Sequence, residues 1–301
     1  MQISQMFRRK PCVFSIECFP PKQTTRFAAM QDTLRAMQAL HPDFISVTYG
    51  AGGSAGGVST VEVARFLKQE LGVEPLAHIL CMGSDKSSAK ALLDELEAAG
   101  VTNVLTLRGD RTPLRPESPD FVHACDLAAF VWQQKPEFDI HAACYPEGHP
   151  EAPSLAADVA NLRYKQEAGA SHLLTQLFFD NGKFYRFLNL ARRAGVTLPV
   201  SAGVMPIVRR SQIERTVALS SASLPSAFTR MIARWQDDPE SLRKAGIEYA
   251  VNQLRDLIEG GADGIHLYAL DDAAVAAAVY DGVRALPEGG ARGTFVKVCI
   301  S

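Results

Sequence analysis

Short apolar runs typical of buried β-strands alternate along the whole chain with longer stretches at helical spacing. The longer stretches, such as 85–99 and 153–169, contain few helix-breaking residues. This alternation predicts parallel strands joined by crossover helices. The eight predicted strands cover 12–19, 44–50, 75–81, 104–110, 139–146, 172–180, 198–206 and 261–270.

Two architectures accommodate such a pattern: an open doubly wound sheet and a closed (β/α)8 barrel. Eight units, near-continuous apolar strands and the lack of a second domain-sized segment favour the barrel. The segment 220–237, between the seventh and eighth strands, is predicted to be an extra helical excursion. We therefore expect residues 1–301 to form a single-domain α/β fold, the (β/α)8 or TIM barrel.

Composition narrows the classes of partner. The chain carries 31 Lys and Arg against 33 Asp and Glu, a formal net charge of −2, with no long block of like charge to follow a nucleic acid or a membrane surface. No apolar run approaches the roughly 18 residues of a membrane span, and the N-terminal segment lacks the apolar core of a signal peptide. The expectation is a cytoplasmic protein without nucleic-acid or membrane partners.

The six cysteines are scattered and form no C-x-x-C pair, so we interpret them as reduced thiols. The glycine-rich stretch 50–55, "GAGGSA", formally matches the dinucleotide fingerprint G-x-G-x-x-[GA]. That fingerprint needs an acid at the end of the next strand, but the nearest candidate, Glu70, falls at the end of the predicted helix. We interpret the stretch as a flexible strand-to-helix loop.

Polar residues follow seven of the eight predicted strands at their C-terminal ends, where TIM barrels carry their active sites. Taken singly, His78 or His266 could be a satisfied core histidine, and Arg108 with Asp110 could be a structural ion pair. Seven strands together indicate a site. Its members are Glu17, Thr48, Tyr49, His78, Arg108, Asp110, Tyr145, Glu147, His149, Gln176, Asp180, His266 and Tyr268.

The residue types at these ends exclude some chemistries. No predicted strand contains the lysine of a Schiff-base aldolase, and no H-x-H or H-E-x-x-H cluster is present, so no metal is expected. The remaining set suits an organic cofactor with one general acid. Glu17 lies in the apolar run "FSIECFPPK" (14–22), where loss of solvent should raise its pKa towards neutrality.

Seven motifs on successive strands now become specific. They are "IECFPPK", "SVTYGAGG", "AHILC", "LRGD", "CYPEGHPEA", "TQLFFD" and "GVMP". In this order they resemble the methylenetetrahydrofolate reductase family over about residues 11–285, in its short bacterial form without a regulatory domain. The resemblance implies a barrel that binds FAD, which NADH or NADPH reduces before 5,10-methylenetetrahydrofolate enters the same pocket and leaves as 5-methyltetrahydrofolate. It also implies a homo-oligomer.

The resemblance assigns roles to individual residues. Glu17 matches the catalytic general acid that protonates nitrogen 10 of the bound folate. Asp110 matches a catalytic aspartate near the flavin and pterin rings, whose negative charge tunes the flavin and helps to hold the folate. Gln176 and Gln212 match substrate-binding positions. The chain departs from the family pattern at Tyr164, often an arginine, and at Thr216, where an aromatic residue is expected. The FAD-binding positions are Thr48, His78, Arg108, Gly109, Asp110, Tyr145, His149, Asp158, Asn161 and Lys165.

Two rival functions are weighed against this resemblance. A proline-dehydrogenase-like enzyme also holds FAD in a barrel, but it uses paired arginines near the last strand, and 266–272, "HLYALDD", contains none. A catalytically silent carrier of flavin or folate would be favoured by the absence of Glu17, which is present. The sequence leaves the choice between NADH and NADPH open.

Overall fold

The structure is a computed structural model that describes residues 1–50, 57–110, 112, 115–213, 216 and 222–285. Eight parallel strands pair in sequence order, and the last pairs with the first to close a barrel. The predicted (β/α)8 fold is confirmed. The strands are β1 Val13–Cys18, β2 Phe44–Val47, β3 Glu74–Leu80, β4 Asn103–Leu107, β5 Asp139–Cys144, β6 Ala170–Thr175, β7 Val200–Val204 and β8 Gly264–Leu267.

Helices cover the outside of the barrel between successive strands. Side chains at their starts fix where several of them begin: Ser59 and Glu62 form a reciprocal capping box at α2, and Asp238 accepts a hydrogen bond from the Ser241 N–H at α8. The helices are α1 Phe27–Gln38, α2 Thr60–Gln69, α3 Lys86–Ala98, α4 Ala124–Gln134, α5 Leu155–Glu167, α6 Asn181–Arg193, α7 Ser226–Trp235, α8 Pro239–Glu259 and α9 Ala273–Arg284.

The predicted excursion at 220–237 contains α7, which confirms an extra helix before β8; its first two residues lie outside the described ranges. The glycine-rich loop predicted at 50–55 also lies outside them, except for Gly50. Several predicted strands run past the observed ends, as 44–50 does beyond β2. β2 ends at Val47, which pairs with Cys18 and Ala77, and residues 48–50 continue as a loop.

The N-terminal end of the barrel is closed by a short 3-10 helix, Ile3–Arg8. The Ile3 N–H donates to Asn103 Oδ1 (3.0 Å) and the Ser4 N–H donates to Asp139 Oδ2 (2.7 Å). The Phe7 ring stacks on His172, with ring centroids 4.4 Å apart. Apolar side chains of β2, β3, β4 and β6 fill the interior beside this helix. This end of the barrel is therefore a packed core rather than a pore.

Two further features bear on the expected class of protein. Among the described residues, no helix combines the length and apolar composition needed to cross a membrane. The five cysteines within the described part of the chain are free thiols, and all but Cys125 are buried. The sixth, Cys299, lies outside the described residues.

Candidate active site

A cavity of about 1120 Å³ opens at the C-terminal face of the barrel, between the ends of β1, β6, β7 and β8. It brings together four of the predicted site residues, Glu17, Gln176, Gln212 and Tyr268. Thr216 lines the same wall and is buried, so the position where the family pattern expects an aromatic residue does face the cavity. The remaining wall comes largely from the loops after β1 and β8.

Glu17 lies on β1 with only 7% of its surface exposed. Burial raises its pKa from about 4.5 to about 8, and the negative charge of Asp271 adds to the rise, while the nearby Ser46 hydroxyl opposes it. The expectation from the apolar sequence around Glu17 is therefore confirmed. At neutral pH this side chain is a protonated carboxylic acid.

Two histidines lie beside Glu17, and neither carries a positive charge at neutral pH. Its Oε2 lies 3.8 Å from His78 Nε2 and 4.0 Å from His266 Nε2. Burial lowers the pKa of both imidazoles to about 3, so they are neutral at physiological pH. His266 Nδ1 is fixed by Ser15 Oγ at 2.8 Å. The neutral rings supply no positive charge that would favour the carboxylate form of Glu17.

The two glutamines use their amide oxygens inside the protein. Gln176 Oε1 accepts from the Leu177 N–H (2.9 Å), and Gln212 Oε1 accepts from the N–H groups of Val208 and Arg209, both at 2.8 Å. Among the residues that the structure describes, neither side-chain NH2 group has a hydrogen-bond partner. Both amides therefore offer donors at the cavity wall.

The predicted cofactor residues lie on the other half of the barrel mouth, after β2 to β5. Arg108 forms a bidentate ion pair with Glu151 at 2.5 and 2.6 Å, and these hydrogen bonds raise the pKa of the Arg108 guanidinium. Arg108 and Asp110 form no ion pair with each other in the part of the chain described. The structural pair considered from the sequence is thus replaced by a partner 43 residues away.

Gly109 adopts a left-handed φ of +80°, and a Cβ atom there would lie 3.3 Å from the Leu80 side chain. A side chain at this position would be strained, so the turn between Arg108 and Asp110 requires glycine. Asp110 itself is exposed and lies three residues after the end of β4.

The loop after β5 and the first turns of α5 form a connected unit. The His149 N–H donates to Asp158 Oδ2 (3.0 Å), and the Tyr145 ring meets the His149 ring edge-on, with centroids 4.8 Å apart. Lys165 Nζ donates to the Ala143 carbonyl oxygen (2.6 Å), and burial lowers its pKa. Asn161, on the same helix, is exposed.

Thr48 completes this half of the mouth. Its N–H donates to the Cys18 carbonyl oxygen (3.0 Å), and its own carbonyl oxygen accepts from the Thr60 hydroxyl (2.9 Å). Through Thr48, which follows β2, these bonds join the end of β1 to the first residue of α2. The two halves of the mouth adjoin at Glu17, which lines the cavity and lies 3.8 Å from the predicted cofactor residue His78.

Comparisons with known proteins identify the family to which the chain belongs. A model of the family Methylenetetrahydrofolate reductase matches residues 2–284. The chain belongs to the methylenetetrahydrofolate reductase family. It is therefore an oxidoreductase, as the sequence resemblance predicts.

Similar proteins come from bacteria and plants. The 5,10-methylenetetrahydrofolate reductase of Pectobacterium carotovorum subsp. carotovorum is 29% identical over 265 residues, covering 88% of each chain. That of Escherichia coli (strain K12) is 29% identical over 267 residues with the same coverage. The methylenetetrahydrofolate reductase (NADH) 1 of Zea mays is 31% identical over 276 residues, which is 86% of this chain and 46% of that protein.

A solved structure shows the same fold at low sequence identity. It is an uncharacterised protein from Clostridium thermocellum described as binding two copies of 5-methyl-5,6,7,8-tetrahydrofolic acid. The TM-score is 0.66 at 12% identity, covering 93% of this chain and 99% of that one. At this identity the likeness supports the fold alone.

One cavity residue was missed by sequence reasoning. Asp271 follows β8, lines the cavity with Glu17 and accepts a hydrogen bond from the Phe19 N–H at 3.1 Å. Burial raises its pKa to about 6. The only sequence signal was a pair of aspartates after the last strand, which resembles a helix start as much as a site; indeed Asp272 caps α9.

Proposed function

We propose that this member of the methylenetetrahydrofolate reductase family uses FAD to reduce 5,10-methylenetetrahydrofolate to 5-methyltetrahydrofolate. NADH or NADPH is the reductant, and the two substrates occupy the cavity in turn, a ping-pong mechanism. The observation that carries the proposal is Glu17, a carboxylic acid with a pKa of about 8 that lines a cavity of about 1120 Å³.

Glu17 acts as the general acid. Opening the five-membered ring of the folate requires a proton at nitrogen 10, and a donor whose pKa is close to the working pH is suited to give it. Glu17 is protonated at neutral pH because burial disfavours its charged form. After the proton has left, the carboxylate is unfavourable in this environment, so it readily takes up another proton for the next turnover.

The mouth of the barrel after β3 and β4 offers unsatisfied groups that fit a flavin. His78 Nε2 and Arg108 Nε are buried atoms without a hydrogen-bond partner among the described residues. Buried polar atoms without partners are rare in folded proteins, so two on neighbouring strands support a polar ligand there. The residues that would hold it are Thr48, His78, Arg108, Gly109, Asp110, Tyr145, His149, Asp158, Asn161 and Lys165.

Bound FAD would supply the chemistry that no side chain provides, the transfer of a hydride from the nicotinamide to the folate. The protein's part is to bind and orient. Arg108 and Lys165 supply positive charge suited to the phosphates, and Gly109 lets the main chain approach closely. We place Asp110 where it accepts hydrogen bonds from the pterin.

The opposite wall is suited to the folate. Gln176 and Gln212 each present an NH2 group, which can donate to the acceptor atoms of a pterin or of a nicotinamide carboxamide. The cavity volume, about 1120 Å³, slightly exceeds the usual range for ligand pockets, roughly 300–1,000 Å³. This room supports two different substrates binding in succession.

The deciding experiment is an anaerobic visible spectrum of the purified protein. We expect flavin absorption bands that bleach on addition of NADH or NADPH and return on addition of 5,10-methylenetetrahydrofolate. Absence of a flavin would refute the cofactor assignment. A reduced flavin that stays bleached with folate would instead indicate a carrier or an oxidoreductase with another acceptor. We also propose a cytoplasmic homo-oligomer, which light scattering on the same sample tests.

A further inference from the structure

We propose that Asp271 is a positioning residue for Glu17: it keeps a negative charge in the cavity and so holds the proton on Glu17. The placement of both carboxylates at one cavity, with Asp271 bonded to the Phe19 N–H, stands on the geometry. Only the use of the proton, to open the folate ring, rests on the proposed function.

The backbone places Asp271 against the end of β1. β8 pairs with β1 through Ile16 and Leu267, so the segments that follow the two strands leave the barrel side by side. Leu270 and Asp271 have φ values of +52° and +58°, in the left-handed region that residues other than glycine seldom adopt. Two consecutive residues of this kind are costly, and such strain is concentrated at functional sites.

A hydrogen bond fixes the Asp271 carboxylate. The Phe19 N–H donates to Asp271 Oδ1 at 3.1 Å, only two residues beyond Glu17. A backbone donor favours the charged form of a carboxylate. The left-handed turn and this hydrogen bond together direct the Asp271 carboxylate towards the strand that carries Glu17, and both residues line the same cavity.

The other groups facing Glu17 are uncharged or exposed. His78 and His266 are neutral, and burial raises the pKa of Cys18 and of Tyr268 well above their usual values, so both remain protonated. Ser46 offers a hydroxyl. The cations of the cavity wall, Lys22, Arg26 and Arg209, are exposed, and solvent weakens their effect on a buried group. Asp271 is therefore the one charge that is held close to Glu17 and largely withdrawn from solvent among the described residues.

The neighbouring Asp272 differs from Asp271 in that arginines balance its charge. Asp272 also lines the cavity, but its carboxylate pairs with Arg209 (3.3 Å) and Arg243 (3.2 Å), which balance its charge. Within the described ranges, no lysine or arginine forms an ion pair with Asp271. Its charge thus acts on the cavity without compensation.

At neutral pH, Glu17 holds a proton and Asp271 holds a negative charge. Burial raises the pKa of Asp271 to about 6, still below neutrality, whereas that of Glu17 reaches about 8. Between these values Asp271 is ionised and Glu17 is protonated. Two carboxylic groups whose surroundings push their pKa values apart in this way can serve one as acid and the other as charge.

The test is Asp271→Asn in the flavin-loaded protein, because an amide oxygen can still accept from the Phe19 N–H while the charge is gone. The protonation of Glu17 is read directly from its carboxylic C=O infrared band, identified by its loss in Glu17→Gln. We expect the midpoint of this titration to fall by about one pH unit in Asp271→Asn. An unchanged midpoint would overturn the proposal.

Two further variants separate the effect of the Asp271 charge from that of its hydrogen bond with the Phe19 N–H. Asp271→Ala removes both the charge and the acceptor; a downward shift like that of Asp271→Asn supports a charge effect, and a shift in the alanine variant alone contradicts it. Asp281→Asn, an exposed change on α9, should leave the midpoint in place. If the alanine variant fails to fold, the asparagine variant still decides.

A kinetic measurement keeps this inference distinct from the proposed function. The alkaline limb of folate reduction should move with the infrared midpoint, while reduction by NADH or NADPH keeps its pH dependence. A shifted midpoint in a protein that does not reduce folate would leave the carboxylate pairing intact and refute the proposed function. Folate reduction with an unshifted midpoint would do the reverse.

Discussion

Two carboxylates are buried in the same barrel and behave in opposite ways. Asp139, at the N-terminal end of the barrel, is 4% exposed, and Glu17, at the C-terminal end, is 7% exposed. Burial alone would raise both pKa values. That of Asp139 is nevertheless held well below its usual range, by His141, Ser171 and the Ser4 N–H, whereas that of Glu17 rises to about 8.

The difference lies in the donors that each acid meets. Asp139 accepts from Ser4 N–H at 2.7 Å and from Ser171 Oγ at 2.6 Å, and His141 Nε2 lies 3.4 Å away. Glu17 meets two neutral imidazoles and the negative charge of Asp271 instead. Similar burial thus gives a stabilising anion at one end of the barrel and a protonated carboxylic acid at the other, in keeping with the division of TIM barrels into a stable and a reactive face.

The largest expected effect is on the rate of folate reduction, when Glu17, the proposed proton donor, is replaced by an amide. Glu17→Gln should slow folate reduction by roughly 10²–10⁴-fold, the usual contribution of a general acid, because an amide cannot donate the proton. Reduction by NADH or NADPH should stay close to wild type. Stopped-flow traces of each half-reaction measure this, with the exposed change Glu95→Gln on α3 as the control; equal losses in both halves would contradict the role of Glu17.

Removing Asp139 should lower the stability of the protein rather than act directly on the reaction. Asp139→Ala leaves the Ser4 N–H without its acceptor and removes one of the two acceptors of Ser171 Oγ, which keeps the Ile140 carbonyl oxygen. We expect it to lower the free energy of unfolding by about 3 kcal/mol. Urea denaturation at pH 7 measures this. The exposed change Asp281→Asn should stay within about 0.5 kcal/mol of wild type. A stable Asp139→Ala protein would mean that the N-terminal 3-10 helix contributes little to the barrel.

The two acids should also give opposite pH dependences of stability. The pKa of Asp139 is lower in the folded state than in the unfolded state, so its contribution is present above about pH 4 and is lost as the pH falls further. The pKa of Glu17 is raised, so the folded protein binds the extra proton between about pH 4.5 and pH 8. The contribution of Glu17 to the free energy of unfolding should therefore fall across that window as the pH rises, whereas His78 and His266, whose pKa values burial lowers to about 3, contribute a rise up to about pH 6.5.

Glu17→Gln isolates this second effect. The variant should gain on the wild type by up to roughly 1.4 kcal/mol per pH unit between pH 5 and pH 8, because it lacks the titrating group. Denaturation curves at four pH values test the expectation. Parallel pH profiles for the two proteins would show that Glu17 does not hold its proton in the folded state.

The smallest effect should come from single donors. Ser171→Ala removes a hydrogen bond to the charged Asp139 and should cost about 1.5–3 kcal/mol, whereas Ser201→Ala removes one to the neutral His172 and should cost about 1 kcal/mol. Chemical denaturation of both variants gives the order. The reverse order would show that charge does not strengthen the bonds around Asp139.

The sequence predicted the barrel because alternation and strand number are local properties of the chain. It predicted the burial of Glu17 for the same reason. It missed Asp271, whose position depends on a left-handed turn and on the pairing of β8 with β1. It also missed the partner of Arg108, since Glu151 reaches it only after β4 and β5 lie side by side. Contacts between distant segments carry no periodic signal.

The closure of the barrel has a consequence for how the protein is made on the ribosome. Glu17 emerges early in translation, but Asp271, which helps to set its acidity, lies 252 residues after its partner Phe19. At synthesis rates of about 5–20 residues per second, roughly 10–50 seconds pass before β8 is available. Until then the carboxyl group is an ordinary glutamate in an incomplete sheet. A prematurely terminated polypeptide would therefore carry Glu17 without the surroundings that raise its pKa.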